Sequence, residues 1–242
     1  MQKESPKKLQ TLSIEATARF EPLTYDCQGK EGIAREYDRR NNIHIAFFNN
    51  KEDGERDYVA KIELRVCDYP DAETMFDVAD ENADSFEAAG IAGDYIALQS
   101  DPDKEDIYTF GINVCEIHTL YISPSYRGSG LSKHLFLMIP ELLGTYTGRE
   151  FAIFTIYVNP FKEQADLSES ECEPEKYGYA DNEADKHLLE VMRAALISAG
   201  FVPTDDTGKR YAADADAIRL TAEKAGINAN VSDYFSENDV FY

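Results

Sequence analysis

The stretch that most constrains this chain is residues 113–136, Asn-Val-Cys-Glu-Ile-His-Thr-Leu-Tyr-Ile-Ser-Pro-Ser-Tyr-Arg-Gly-Ser-Gly-Leu-Ser-Lys-His-Leu-Phe. It opens as a strand rich in β-branched and aromatic residues. Strict alternation puts Val114, Glu116, His118, Leu120 and Ile122 on one face, and Cys115, Ile117, Thr119 and Tyr121 on the other. Ser123-Pro124-Ser125 ends the strand, because proline offers no N–H to a ladder and holds its predecessor extended. Beyond Arg127-Gly128-Ser129-Gly130, the apolar positions Leu131, Leu135, Met138, Ile139 and Leu142 keep helical spacing.

A strand, a glycine loop and a helix start together make an anion site. The first turn of a helix has N–H groups without partners, and the macrodipole adds positive character there. Gly128 and Gly130 let backbone approach a phosphate closely, and Arg127 can add a charge-assisted contact. The loop has no Gly-Lys-Ser/Thr end and no third glycine, so it is neither a nucleotide P-loop nor a dinucleotide fingerprint.

Leu-Tyr-Ile-Ser-Pro-Ser-Tyr-Arg-Gly-Ser-Gly-Leu-Ser, residues 120–132, resembles the acetyl-CoA motif of GCN5-related N-acetyltransferases, Arg/Gln-x-x-Gly-x-Gly/Ala after a Leu-x-Val-x-Pro-x-Tyr strand. Arg127 and Gly130 match, and Ser132 stands where that family has Gly or Ala. The resemblance implies pyrophosphate contacts from Arg127, Gly128, Ser129, Gly130, Leu131 and Ser132, and pantetheine contacts from the bulged strand at Leu120, Tyr121 and Ile122. It also implies acetyl-CoA as cosubstrate and a mixed α/β fold, with a mostly antiparallel central sheet flanked by helices. The strand over Phe151–Val158 would lie beside the 113–122 strand and splay from it, with Asn159 at its end as a polar contact.

The formal net charge is -22, from 46 acidic and 24 basic residues. Phosphate neutralisation needs Lys and Arg, so the expectation is no nucleic acid, no anionic membrane, and a cationic small-molecule or peptide amine as partner. Cys27, Cys67, Cys115 and Cys172 are far apart, and the four histidines form no ligand spacing, so the expectation is reduced thiols, no metal and a cytoplasmic protein. The N-terminus has no apolar segment of the signal-peptide kind.

One domain is expected over 1–242, with a core at about 9–70 and 111–211. Leu12–Phe20 alternates as a strand, and Ile43–Phe47 and Tyr58–Val66 form a hairpin around Asp53-Gly54. A short helix is expected over Gly32–Arg39. Residues 71–110 are an expected acidic insertion, with one helix from Ala72 to Phe86 and a second near Ile91–Leu98. Between Arg65 and Arg127 its one Lys or Arg is Lys104, which suits a solvated face or a rim that gathers cations. Pro140 is expected to end or kink the 131–142 helix. An acidic loop is expected at 161–180, then a helix over Asn182–Ala199 with Gly200-Phe201 as its C-cap. A last helix is expected over Ala212–Ala225, and the tail to Tyr242 leaves a homodimer contact open.

Acetyl transfer to an amine needs a base for the ammonium proton and an N–H donor for the thioester oxygen. Glu116 is the candidate base, six residues before Ile122, where some members of the resembled family carry glutamate; His118 is the alternative. Tyr121 and Tyr126 are candidate acids. Leu196 occupies the position of that family's usual acidic tyrosine. Two other functions stay open: a CoA-binding module without turnover, and an acidic interaction protein for a basic partner.

Overall fold

A computed structural model of the chain describes residues 11–20, 41–52, 54–69, 75, 83–99, 112–147, 150–158 and 183–227. The strands are β1 (Thr11–Phe20), β2 (Asn41–Asn50), β3 (Arg56–Tyr69), β4 (Ile112–Ile122), β5 (Ile153–Tyr157), β6 (Val202–Pro203) and β7 (Arg210–Asp214). The helices are α1 (Ala83–Gln99), α2 (Leu131–Thr147), α3 (Glu183–Ser198) and α4 (Ala215–Lys224). The strands form one sheet in the order β1-β2-β3-β4-β5-β7-β6. Every pairing is antiparallel except β4 with β5. This is the mixed, mostly antiparallel sheet that the motif implies.

Apolar side chains sort the helices onto the two faces. Cys115, Ile117 and Leu120 of β4 share a buried cluster with Leu135, Phe136 and Ile139 of α2, Leu196 of α3 and Ile218 of α4. On the other face, Val114, Ile153 and Ala212 meet Ala89, Ala92 and Tyr95 of α1, together with Met75. Ile153 through Ile156 are therefore covered on both sides.

The hairpin stands where alternation puts it, with longer strands and a turn at Gly54 (φ 85°). Four expectations change. The described helix of the acidic segment is continuous from Ala83 to Gln99 and packs on β4, β5 and β7, so part of that segment is core. Residues 70–74 and 76–82 lie outside the described residues, as do 21–40 and 159–182. Pro140 is buried inside α2, which runs on to Thr147; apolar packing from Leu135 to Leu143 outweighs one missing N–H. Arg210–Asp214 is a strand, because Tyr211, Ala212 and Ala213 are buried beside β5, and this context overrides the helix preference of alanine. Asp214 then caps α4 by accepting from the Ala217 N–H at 2.6 Å.

The fourth change decides the site. Leu64 pairs with Ile117 but Glu63 pairs with Thr119, so His118 is an extra residue in β4. The bulge reverses the alternation behind it: Leu120 turns into the α2-side cluster, and Thr119 hydrogen-bonds to Glu63 across the other face.

At the end of α3, Phe201 N–H donates to Leu196 O and Gly200 N–H to Ile197 O, both at 3.1 Å. This is a Schellman close around Gly200 at φ 97°. A Cβ at Gly200 would stand 3.1 Å from Ala217 O and 2.9 Å from Thr221 Oγ1. Gly200→Ala is expected to destabilise the protein by at least about 1–2 kcal/mol from backbone strain alone, read as a lower denaturation midpoint.

Candidate functional site

β4 and β5 pair for three residues, Val114–Glu116 with Ile153–Thr155. β5 then holds to β7 on its other side, with Val158 N–H donating to Lys209 O at 2.7 Å. From Ile117 to Ile122, β4 has no strand partner on its β5 side among the described residues. The sheet is thus split beside the segment that leads into the glycine loop.

The loop is anchored before it is open. Pro124–Tyr126 forms one 3-10 turn, and Tyr126 is buried. The Tyr126 hydroxyl accepts from Asn49 Nδ2 at 3.1 Å and donates to Asp57 Oδ2 at 3.2 Å. Arg127 Nε donates to Ile122 O at 2.8 Å, and its guanidinium lies 5.8 Å from the Tyr121 ring centre. Gly128 and Gly130 have φ of 78° and 79°, and a Cβ on either would meet nothing within 4 Å. They are glycines for their backbone conformation, facing open space. His134 N–H makes the first bond back to Gly130 O at 3.4 Å, so the N–H groups of Leu131, Ser132 and Lys133 precede it.

These features fit an anionic pyrophosphate: exposed loop backbone, a helix start, and Arg127 Nη groups with no partner among the described residues. Of the residues expected to hold the cosubstrate, Arg127, Gly128, Ser129 and Gly130 form one exposed run ending at half-buried Ser132. Ser129 turns its hydroxyl to Tyr126 O at 2.8 Å. Leu120 and Leu131 point their side chains into the core, so backbone is what each can offer. Ile122 packs partly against the same core, while Tyr121 stacks on Tyr58 at 6.1 Å. Asn159 lies outside the described residues.

Glu116 and His118 are brought together with a residue that sequence reading missed. Arg65 on β3 is the register partner of Glu116, with Nη1 at 3.6 Å from Oε2. Arg65 Nη2 is 3.0 Å from His118 Nε2, and His118 Nδ1 is 3.4 Å from Glu116 Oε1. All three are only partly exposed. Thr155, paired with Glu116 across the parallel step, is fully buried, and its hydroxyl has no partner among the described residues. The tyrosine acids fare differently: the Tyr126 hydroxyl is engaged in the anchor, and Leu196 is core. Among the described residues no cluster is placed to hold a metal, and no helix is long and apolar enough to cross a membrane.

No family model and no curated protein matches the chain. Among solved structures, it is similar to a point mutant of KacT, at 14% identity and a TM-score of 0.40, covering 87% of this chain and 99% of that one. It is similar to AtaT complexed with acetyl-methionyl-tRNAfMet, at 13% identity and a TM-score of 0.38, covering 74% of each chain. AtaTR bound with AcCoA matches at 15% identity and a TM-score of 0.34, covering 87% of this chain and 97% of that one. The split β4–β5 pair and the glycine loop entering α2 are the acetyltransferase-like arrangement that the motif implies.

One expectation is corrected. A cationic small-molecule or peptide amine, with nucleic acid excluded, does not stand beside a similar structure that is a tRNA complex. The physical flaw is that net charge describes a whole chain and not the field over one face. On the β2–β4 part of the sheet and its adjoining loops, Lys51, Arg56, Lys61 and Arg65 are each within ion-pair distance of a carboxylate, and Arg127 is exposed in the glycine loop.

Two outcomes are expected from the anchor and the helix start. Tyr126→Phe removes a hydroxyl that serves two partners, one a carboxylate, and is expected to cost about 1–3 kcal/mol in chemical denaturation. Burial holds the His134 imidazole below its usual range. The unfolded chain therefore binds that proton more tightly, and stability falls as pH drops through about 6.5. The loss between pH 7.5 and 5.5 should be smaller in His134→Asn than in the native chain.

Proposed function

We propose that the protein is an acetyl-CoA-dependent N-acetyltransferase acting on a primary amine. The observation that carries the reading is the opening of β4 from β5 directly beside an exposed glycine loop and helix start, with a glutamate on the same strand. When bound, acetyl-CoA would supply an acyl group activated as a thioester; the amine nitrogen bonds to the carbonyl carbon, the C–S bond breaks, and CoA leaves as the thiol. The N–H groups of Gly128–Ser132 and Arg127 hold the pyrophosphate. Backbone N–H groups on the open edge of β4 are suited to a carbonyl oxygen that gains charge. Glu116 takes the ammonium proton, directly or through one water.

Titration calorimetry with acetyl-CoA tests the site. Gly130→Asp adds a Cβ at φ 79° and a negative charge at the anion position, and should lower affinity by at least about tenfold. Transfer is then assayed with two kinds of amine, an aminoacyl-tRNA and a polypeptide amine. Glu116→Gln is expected to lower kcat by on the order of 10²-fold or more while acetyl-CoA affinity holds. Binding without transfer to either acceptor would assign a CoA-binding module, and no binding by the folded native chain would overturn the reading.

A further inference from the structure

The cluster on β3 and β4 has a donor–acceptor logic that locates a proton. A guanidinium has donors and no acceptor. With Arg65 Nη2 3.0 Å from His118 Nε2, that nitrogen must present its lone pair. The proton of the neutral ring then sits on Nδ1, which faces Glu116 Oε1 at 3.4 Å, where a carboxylate calls for a donor. Two separate contacts thus select one tautomer. An imidazolium would set N–H against N–H and cation against cation at the shorter contact. Arg65 Nη1 closes the ring toward Glu116 Oε2 at 3.6 Å. The bulge makes this possible, because His118 is the extra residue of β4 and sits between the Arg65–Glu116 and Glu63–Thr119 pairs. Glu63 is engaged by Lys61 at 2.9 Å and by Thr119, which leaves Arg65 to serve Glu116 and His118.

We propose that Arg65 is a positioning residue that holds His118 as its Nδ1–H tautomer, so that His118 donates to Glu116 and is not the proton acceptor. One carboxylate oxygen is then steered by His118 and the other by Arg65. The catalytic consequence rests on the acetyl-transfer reading; the tautomer does not.

The test is long-range ¹H–¹⁵N correlation of the histidine rings in the full-length protein at pH 8.5, with His118 assigned by its loss in His118→Asn. The expected pattern is a protonated Nδ1 and a bare Nε2. A ring protonated on Nε2 in the native chain overturns the proposal whatever the enzyme does. Arg65→Met, which keeps an apolar stem and removes the donors, should release the ring toward Nε2–H or a mixture; an unchanged pattern in a folded variant would overturn the role of Arg65. Should that variant not fold, Arg65→Leu, which also removes the donors, serves the same comparison. If transfer is observed, Arg65→Met should lower kcat/KM on the order of 10- to 100-fold with unchanged acetyl-CoA affinity. His118→Asn should then cost no more than about as much as Arg65→Met. A far larger loss, matching Glu116→Gln, would make His118 the acceptor and overturn the proposal.

Discussion

The structure depends on how briefly β4 and β5 stay together. Three residues of parallel pairing fix the relation between the two halves of the sheet, and from Ile117 onward β4 is released from β5. The release is enforced from both sides. β5 remains bound to β7 along its other edge, while β4 stays bound to β3 through Ile122, with Ser123 N–H still reaching Val59 O at 2.8 Å. Neither strand can track the other without breaking its outer ladder, and each broken, buried backbone bond is costly. The split is therefore held by hydrogen bonds that lie outside it.

The same arrangement separates two tasks along one strand. The paired part of β4 carries Glu116 beside Arg65, where a cross-strand cation and a bulged histidine control a carboxylate. The part released from β5 runs through Ser123 and the 3-10 turn into the glycine loop, whose exposed backbone suits an anion. A single strand thus changes from side-chain chemistry to backbone chemistry over a short distance, and the bulge at His118 marks the change.

What could be read from the sequence was local. The glycine loop and the α2 start lie within a few residues of one another, so Arg127, Gly128 and Gly130 announce their conformation themselves. The Gly200-Phe201 cap is readable for the same reason. What could not be read depended on partners far along the chain. The motif implies a bulge late in β4, at Leu120–Ile122, but its actual place at His118 is set by register with Glu63 and Leu64. Arg65 looks like one more charged position in a hairpin until β4 is laid beside it. Tyr126 reads as a reactive phenol and is an anchor, because Asn49 and Asp57 belong to a hairpin that closes over it. Arg210–Asp214 has the composition of a helix and the location of a strand.

The Tyr126 anchor has a consequence for how far the loop can be treated as a module. Its turn, its glycines and its arginine are contiguous in sequence, as in a cassette that could be moved to another sheet. Its rigidity, however, is lent by Asn49 and Asp57, which flank the β2–β3 turn. Grafted without that hairpin, the segment would keep its composition and lose the hydroxyl contacts that hold its entry in place. In this protein the smallest transplantable unit is the loop together with the turn of β2 and β3.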